Sequence, residues 1–294
     1  MRSQTDIPTR PLPIGAVGPG SQPGEADGSE LAYLPMPGAM QAYRPPVLPE
    51  PRTVAGLTAG LSLLESLQVL LSGYRVGALP QAMDLQTLDA ANLRLIADSL
   101  GEGEVSIKHK GPESAGAQET RLAGVWRVRV TGADGALRRD VLEVCDIPGL
   151  VRYQAFVAAR DWVELPQALP DGIMNAPGII AELNDRVAAR LGKAAPPPAH
   201  VINLTLLPQT EQDVSLLNAL LGTGPVSILS RGYGNCRITA TKLRDVWWVQ
   251  YFNSDDRLIL NTLEVTDVPA AALAAQEDID DSALRLHEIL QSLQ

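Results

Sequence analysis

The chain has 294 residues, of which 45% are apolar, and its formal net charge at pH 7 is −10. This length and this composition suffice for two ordinary domains, each with its own hydrophobic core. The acidic balance argues against a nucleic-acid-binding protein, because affinity for phosphates comes from clustered Lys and Arg and the sequence has no such cluster.

The N-terminal residues and the cysteines indicate the cellular compartment. Residues 1–6 are not followed by the apolar core of a signal peptide, and no stretch approaches the roughly 20 apolar residues that span a bilayer. Cys145 and Cys236 lie far apart and form no C-x-x-C pair, which favours a reducing compartment and argues against a zinc site. The sequence therefore predicts a cytoplasmic protein without membrane insertion.

Pro and Gly crowd residues 1–51, where no helix or strand period is sustained. This composition is typical of a disordered tail, which we expect at 1–51. Within it, Leu34–Pro46 interleaves prolines with Met and Tyr. That pattern fits either an extended segment that docks in an apolar groove or a plain linker.

Three separate sequence blocks occur twice in the chain at one constant spacing. The blocks around Gly101, Trp126 and Pro148 recur 121 positions later, without a gap between them. Chance similarity rarely holds one register through three blocks, so the sequence predicts a tandem duplication. The first α+β repeat is predicted to cover 52–170 and the second 171–294.

Each repeat is predicted to begin with an apolar-periodic helix, followed by a short strand and a second helix that ends at a glycine. These elements lie at 54–71, near 84 and at 89–100 in the first repeat, and at 178–191, near 203 and at 210–221 in the second. Three strands and a final helix follow, and in the middle strand Trp126 and Arg127 face opposite sides. The predicted fold class is α+β, with two divergent repeats of α-β-α-β-β-β-α and a mainly antiparallel sheet.

Partner binding is predicted where the two repeats differ. The second repeat carries a Gly-Tyr-Gly-Asn segment that can display its ring at low backbone cost, although a tight turn with a packed tyrosine fits the same residues. In the middle strand, Arg127 and Thr131 of the first repeat become Trp248 and Phe252 of the second. This aromatic face must be covered by the protein's own elements or by a partner. The predicted partner-binding residues are Arg231, Gly232, Tyr233, Gly234, Asn235, Trp248 and Phe252.

The sequence contains no pattern typical of a catalytic or metal site. Its three histidines, His109, His200 and His287, have no nucleophile paired with them in the sequence, and no His/Cys cluster suits nickel or iron. The acidic run 277–281 fits a helix N-terminus, where negative charge is electrostatically favoured. We therefore predict a protein that is not an enzyme and holds no cofactor or metal.

A second interpretation is a redox-responsive or ligand-responsive regulator. Cys236 is flanked in sequence by Arg231 and Arg237. Neighbouring positive charge lowers the pKa of a thiol and makes it reactive. This alternative therefore predicts a lowered pKa for Cys236.

Several segments resemble one known family. They are residues 34–37, 200–208, 221–226, 231–234, 238–241, 246–247 and the closing stretch 276–286. They look like segments of the HupH/HyaF hydrogenase expression/formation proteins. The resemblance implies a chaperone-like role in the maturation of [NiFe] uptake hydrogenases and brings no established active site. It implies as partner the precursor of the iron-sulfur small subunit before its export, with other maturation factors as further candidates.

Overall fold

The computed structural model describes Val54, residues 56–231 and residues 235–293. The predicted tail at 1–51 therefore lies outside the described residues. The helices are α1 (Thr58–Gly73), α2 (Ala90–Leu100), α3 (Gly149–Gln154), α4 (Ala176–Arg190), α5 (Glu211–Leu221) and α6 (Gln276–Leu293). The strands are β1 (Gln81–Asp84), β2 (Val105–His109), β3 (Ser114–Glu119), β4 (Val125–Thr131), β5 (Leu137–Val144), β6 (His200–Asn203), β7 (Val226–Ser230), β8 (Asn235–Ala240), β9 (Val246–Phe252) and β10 (Leu258–Val265).

The strands form one ten-stranded antiparallel sheet, which confirms the predicted α+β class with a mainly antiparallel sheet. Its order is β1-β5-β4-β3-β2-β7-β8-β9-β10-β6. We refer to β1–β5 as the first half of the sheet and to β6–β10 as the second half. The order of strands from the centre outward is the same in both halves.

The two halves meet at the pairing of β2 with β7, which we refer to as the seam. Ile107 lies opposite Ile228 in this antiparallel register, and these two residues are 121 positions apart in sequence. Backbone hydrogen bonds extend the seam at both ends, where Lys110 N donates to Pro225 O and Arg231 N donates to Glu104 O. The halves are therefore parts of one continuous sheet.

The prediction of three strands after the second helix is wrong, because each half has four strands there. The additional strands are β3 and β8. β3 has the sequence Ser-Ala-Gly-Ala-Gln-Glu, which lacks β-branched and aromatic residues, so nothing in its composition marked it as a strand. Its backbone is nevertheless held on both sides by ladder pairing with β2 and β4.

The predicted helix ends after α2 and α5 are confirmed. Gly101 and Gly222 follow these helices with φ of 61° and 59°, a conformation that side chains with a Cβ rarely adopt. At the other end of α2, the carboxylate of Asp89 accepts hydrogen bonds from two backbone amides. α5 begins with a capping box formed by Thr210 and Asp213.

Two hydrophobic clusters hold the helices on the sheet. The larger cluster includes Trp126 and Trp247, which are fully buried side chains of β4 and β9. Their indole nitrogens donate to the backbone oxygens of Cys145 and Thr266, at 3.1 and 3.2 Å. The smaller cluster joins α4 and α5 to β6, β9 and β10. Trp126 belongs to the larger cluster and Arg127 does not, which agrees with the prediction that they face opposite sides of the strand.

Candidate functional site

Trp248, one of the predicted partner-binding residues, is a core residue. It is 9% exposed and belongs to the smaller cluster, together with Leu183 of α4 and Leu217 of α5. Its indole nitrogen donates to Asn261 Oδ1 at 2.5 Å. The aromatic face was predicted to need a cover, and at Trp248 the protein's own helices α4 and α5 provide it. Trp248 is therefore not available to a partner.

The other described candidates lie together at one end of β7–β9. Asn235 pairs with Phe252 across the β8–β9 ladder, and Phe252 is half-buried. The guanidinium of Arg237 lies 5.6 Å from the centre of the Phe252 ring, within range of a cation–π contact. Arg231 is exposed at the end of β7, and the Asn235 amide donates to Asp256 Oδ1. Gly232, Tyr233 and Gly234 lie outside the described residues.

The middle of the sheet has one buried side and one accessible side. Ala117, Ile107, Ile228 and Ile238 of β3, β2, β7 and β8 are buried in the larger cluster. Their neighbours along each strand point to the opposite side, because side chains alternate along a strand. We name this opposite side the central face. The ladder registers order it in two rows, Arg129, Gly116, Lys108, Ser227 and Thr239, and Arg127, Gln118, Ser106, Leu229 and Arg237.

Positive charge is concentrated on the central face. Lys108 and Arg129 are exposed, and Arg237 is half-buried. Arg127 makes two hydrogen bonds to the buried carboxylate of Asp140, at 2.9 and 2.6 Å, and this pairing raises the pKa of Arg127. This surface was not predicted from the sequence, although the alternation of Asn235, Arg237 and Thr239 with apolar residues was a signal for it.

Cys236 does not have the environment that the regulator hypothesis predicts. It is 6% exposed, and burial raises the pKa of its thiol to about 11. Its hydrogen-bond partner is the hydroxyl of Tyr251, and burial likewise raises the pKa of Tyr251 to about 12. The prediction of a lowered pKa is therefore wrong, since Arg237 extends from the opposite side of the strand toward Phe252.

Glu119, at the end of β3, is a carboxyl group in an unfavourable environment for its charge. Burial, together with the nearby negative charges of Glu104 and Asp278, raises its pKa to about 7. Glu119 pairs with Trp126 in the β3–β4 ladder. Ala240 occupies the corresponding place beside Trp247 in the second half, so only the first half has an ionisable group there.

Within Val54, 56–231 and 235–293, no group of three or more His, Cys, Asp or Glu is placed to hold a metal ion. In that part, no helix has both the length and the apolar composition needed to cross a membrane. Of the histidines, His200 contacts Glu182, with 2.6 Å between Nε2 and Oε1.

The structure is that of an α+β protein with one continuous sheet. The two halves of the sheet have the same strand order, and the central face of the sheet is accessible. The family model of the HupH hydrogenase expression protein, C-terminal conserved region, matches residues 57–159 and again residues 173–293. Each matched segment contains one half of the sheet. The chain belongs to the HupH family of hydrogenase expression proteins, which confirms the resemblance found in its sequence.

Similarity to individual relatives extends over nearly the whole chain. The hydrogenase expression/formation protein HupQ of Azotobacter chroococcum is 49% identical, over 96% of this chain and 98% of its own length. The protein HoxQ of Azotobacter vinelandii, with the same description, is 47% identical over 96% of this chain and 99% of its own. The hydrogenase-1 operon protein HyaF of Escherichia coli is 35% identical over 94% and 95%.

Proposed function

We propose that this protein is a non-catalytic accessory protein of [NiFe] hydrogenase maturation, which acts in the cytoplasm and binds the precursor of the iron-sulfur small subunit before export. The observation that carries the proposal is similarity over 96% of the chain to hydrogenase expression/formation proteins. The accessible central face supports a binding role, because a sheet surface that no helix of the described residues covers can receive another chain.

We further propose that the fold arose by tandem duplication, with repeats at 52–170 and 171–294. Three observations support this origin. The seam places Ile107 opposite Ile228, its counterpart 121 positions later. Both halves have the same strand order from the centre outward, and one family model matches both segments. The resulting arrangement resembles a twofold-symmetric dimer fused into a single chain.

Within this function, the end of β7–β9 is the proposed contact site for the small-subunit precursor. It combines an exposed guanidinium at Arg231, the side chain of Asn235 and the half-buried ring of Phe252. Arg and aromatic side chains are enriched at protein interfaces. Tyr233, between Arg231 and Asn235 in sequence, remains a candidate, whereas Trp248 is left out because it is buried.

The test is affinity capture with the tagged full-length protein from cells that express the hydrogenase. Bound chains are identified by mass spectrometry. We expect recovery of the small-subunit precursor by the unmodified protein and a reduced yield with Arg231→Ala/Phe252→Ala. The matched control is Leu284→Ala/Arg285→Ala, which also removes one apolar and one Arg side chain but from the exposed side of α6. Circular dichroism verifies that both variants are folded.

The results distinguish the protein's function from its contact site. Absence of the precursor from the material captured by the unmodified protein contradicts the proposed function. Equal recovery by the two double variants retains the function but removes the β7–β9 end as the contact site. A loss confined to Arg231→Ala/Phe252→Ala supports both.

A further inference from the structure

The central face carries cations that no carboxylate of the described residues neutralises through an ion pair. Arg127 is bonded to Asp140, whereas Lys108, Arg129 and Arg237 form no salt bridge within 54, 56–231 and 235–293. The chain as a whole has a net charge of −10, so this concentration of positive side chains runs against its overall balance. The carboxylate of Asp140 lies on this face, opposite Arg129 in the β4–β5 ladder and bonded to Arg127, and Glu102 and Glu104 lie before the start of β2. The interior of the central face is therefore positive.

Gly116 forms a gap between two of these cations. It pairs with Arg129 of β4 on one side and with Lys108 of β2 on the other. The ladders through Gly116 show no register shift, so this glycine does not mark a β-bulge. An added Cβ would meet only Ile107 O at 3.6 Å, an ordinary van der Waals contact.

Glycine at position 116 is thus not required by the backbone or by packing. Glycine inside a strand lowers strand stability, and where no bulge or bend explains it, it often marks a site where another chain or a ligand approaches the sheet closely. Because Gly116 has no side chain, only its backbone lies between the side chains of Arg129 and Lys108 on this face. These cations are separated by two strand spacings, which is about 10 Å.

The spacing and the chemistry point to one kind of occupant. Three cations spread over β4, β2 and β8 suit a ligand whose negative charges are also spread out, rather than one compact anion. An extended polypeptide with acidic side chains has this distribution, and its backbone can lie against Gly116. We propose that the central face binds an extended acidic segment of a partner protein.

This inference deepens the proposed function, on which it rests for the identity of the partner, but its binding chemistry is tested independently. The probe is a fluorescein-labelled peptide of alternating Asp and Ser, about ten residues long, which spans the central face when extended. A peptide with Asn in place of Asp is the neutral control. Fluorescence anisotropy with the full-length protein measures the affinity at low and at physiological salt.

The unmodified protein is expected to bind the acidic peptide and to lose affinity as salt rises, because exposed charges are screened. Lys108→Ala/Arg129→Ala is expected to weaken binding about tenfold or more, which corresponds to about 1.4 kcal/mol. Its control, Lys193→Ala/Arg285→Ala, removes two exposed cations elsewhere and is expected to leave the affinity unchanged.

Gly116→Val provides a test that does not alter charge. Valine has a high strand propensity, so the melting temperature is expected not to fall. The added side chain would fill the space between Arg129 and Lys108 and is expected to weaken peptide binding. Unchanged affinity in Gly116→Val and in Lys108→Ala/Arg129→Ala would overturn the proposal.

Two other results would also overturn it, and they bear differently on the proposed function. Stronger binding of a single-stranded oligonucleotide than of the acidic peptide would assign the face to nucleic acid. No binding of the acidic peptide, while the small-subunit precursor is still captured, would remove this inference and leave the proposed function intact.

Discussion

The two halves of the sheet use different side chains at one pair of equivalent positions. In the first half, Arg127 of β4 forms two hydrogen bonds with Asp140 of β5. In the second half, 121 positions later, Trp248 of β9 donates one hydrogen bond to Asn261 of β10. Both residues of the pair thus differ between the two halves. In each half, the side-chain donor on the inner strand has an acceptor on the neighbouring outer strand.

This difference shows how two halves with the same strand order can carry different side chains without leaving a buried polar group unpaired. Asp140 is 6% exposed, so its charge needs the guanidinium beside it. Asn261 is uncharged and satisfies the indole N–H of Trp248, which α4 and α5 bury. A change at only one position of either pair would have left a donor or a carboxylate without its partner.

Other positions show no such divergence, because the framework needs them in both halves. Thr120 and Thr241, at the turns before β4 and β9, each use their hydroxyl to bond the backbone of the residue two positions later. Trp126 and Trp247 each donate to a backbone oxygen after the adjoining strand. Side chains that are the same in both halves thus have the same structural role. At the positions of the Arg127–Asp140 and Trp248–Asn261 pairs, the sheet accepts different side chains in its two halves.

The largest expected effect tests whether Trp126 and Trp247 contribute equally to the free energy of unfolding. Trp126→Ala and Trp247→Ala each remove a fully buried indole and leave a cavity, so each is expected to lower the free energy of unfolding by about 4 kcal/mol. Urea unfolding followed by circular dichroism measures both. A loss below about 1 kcal/mol in only one variant would show that the halves are not equivalent in stability.

The second test transplants the pair of the first half into the second. Trp248→Arg alone buries an unpaired charge and is expected to lower the free energy of unfolding by about 3 kcal/mol or more. Adding Asn261→Asp supplies a carboxylate at the position equivalent to Asp140, and we expect it to recover about 1 kcal/mol or more of that loss. Additive effects in this double-mutant cycle would contradict the idea that the pair changes as a unit.

The third test concerns the ionisable group that only the first half has beside its tryptophan. The pKa of Glu119 is about 7 in the folded protein against an ordinary value of 4.5. Between these pH values the unfolded chain releases the proton while the folded chain keeps it, so Glu119 makes the protein less stable as pH rises from 4.5 to 7. Glu119→Gln, which cannot ionise, is expected to be more stable than the unmodified protein above pH 7.

The measurement for Glu119 is the free energy of unfolding at a series of pH values from 4 to 8. Burial also raises the pKa of Glu264, so part of the pH dependence should persist in Glu119→Gln. Glu288→Gln, at an exposed position of α6, serves as the control. Parallel pH profiles for the unmodified protein and Glu119→Gln would argue against a proton held at Glu119.

The smallest expected effect compares the two hairpin turns. Gly135 has φ of 78°, and its counterpart Asp256 has φ of 58°, which is costly for a side chain with a Cβ. Asp256→Gly is expected to change the free energy of unfolding by no more than about 1 kcal/mol, toward greater stability. Thermal unfolding measures the change in stability. A clear loss of stability would mean that the hydrogen bond from Asn235 to Asp256 contributes more than the strain at Asp256 costs.

Local sequence signals predicted the framework well. The glycines after α2 and α5 and the alternation around Trp126 were sufficient, because backbone conformation and burial on one face follow from neighbouring residues. The strand β3 was missed because its small and polar side chains carry little strand propensity, whereas β8 was missed although its polar and apolar residues alternate. Ladder pairing with a strand on each side holds both of them in place.

The candidate site was predicted less well than the fold. An aromatic strand face was recognised at Trp248 and Phe252, but a single sequence does not reveal that α4 and α5 cover one end of it and leave Phe252 half-buried. The cations of the central face are dispersed in sequence between 108 and 237. Only the strand order brings them onto one surface.

The seam has a further consequence for assembly. Because β2 and β7 belong to different halves and are separated in sequence by about 120 residues, the β7 edge of one molecule can equally meet the β2 edge of another. Two chains would then exchange their second halves and bury the same surfaces as a monomer does. Refolding at high protein concentration, followed by size-exclusion chromatography, is where such an exchanged dimer would be detected. Its absence would mean that the folded chain closes on itself faster than it meets a neighbour.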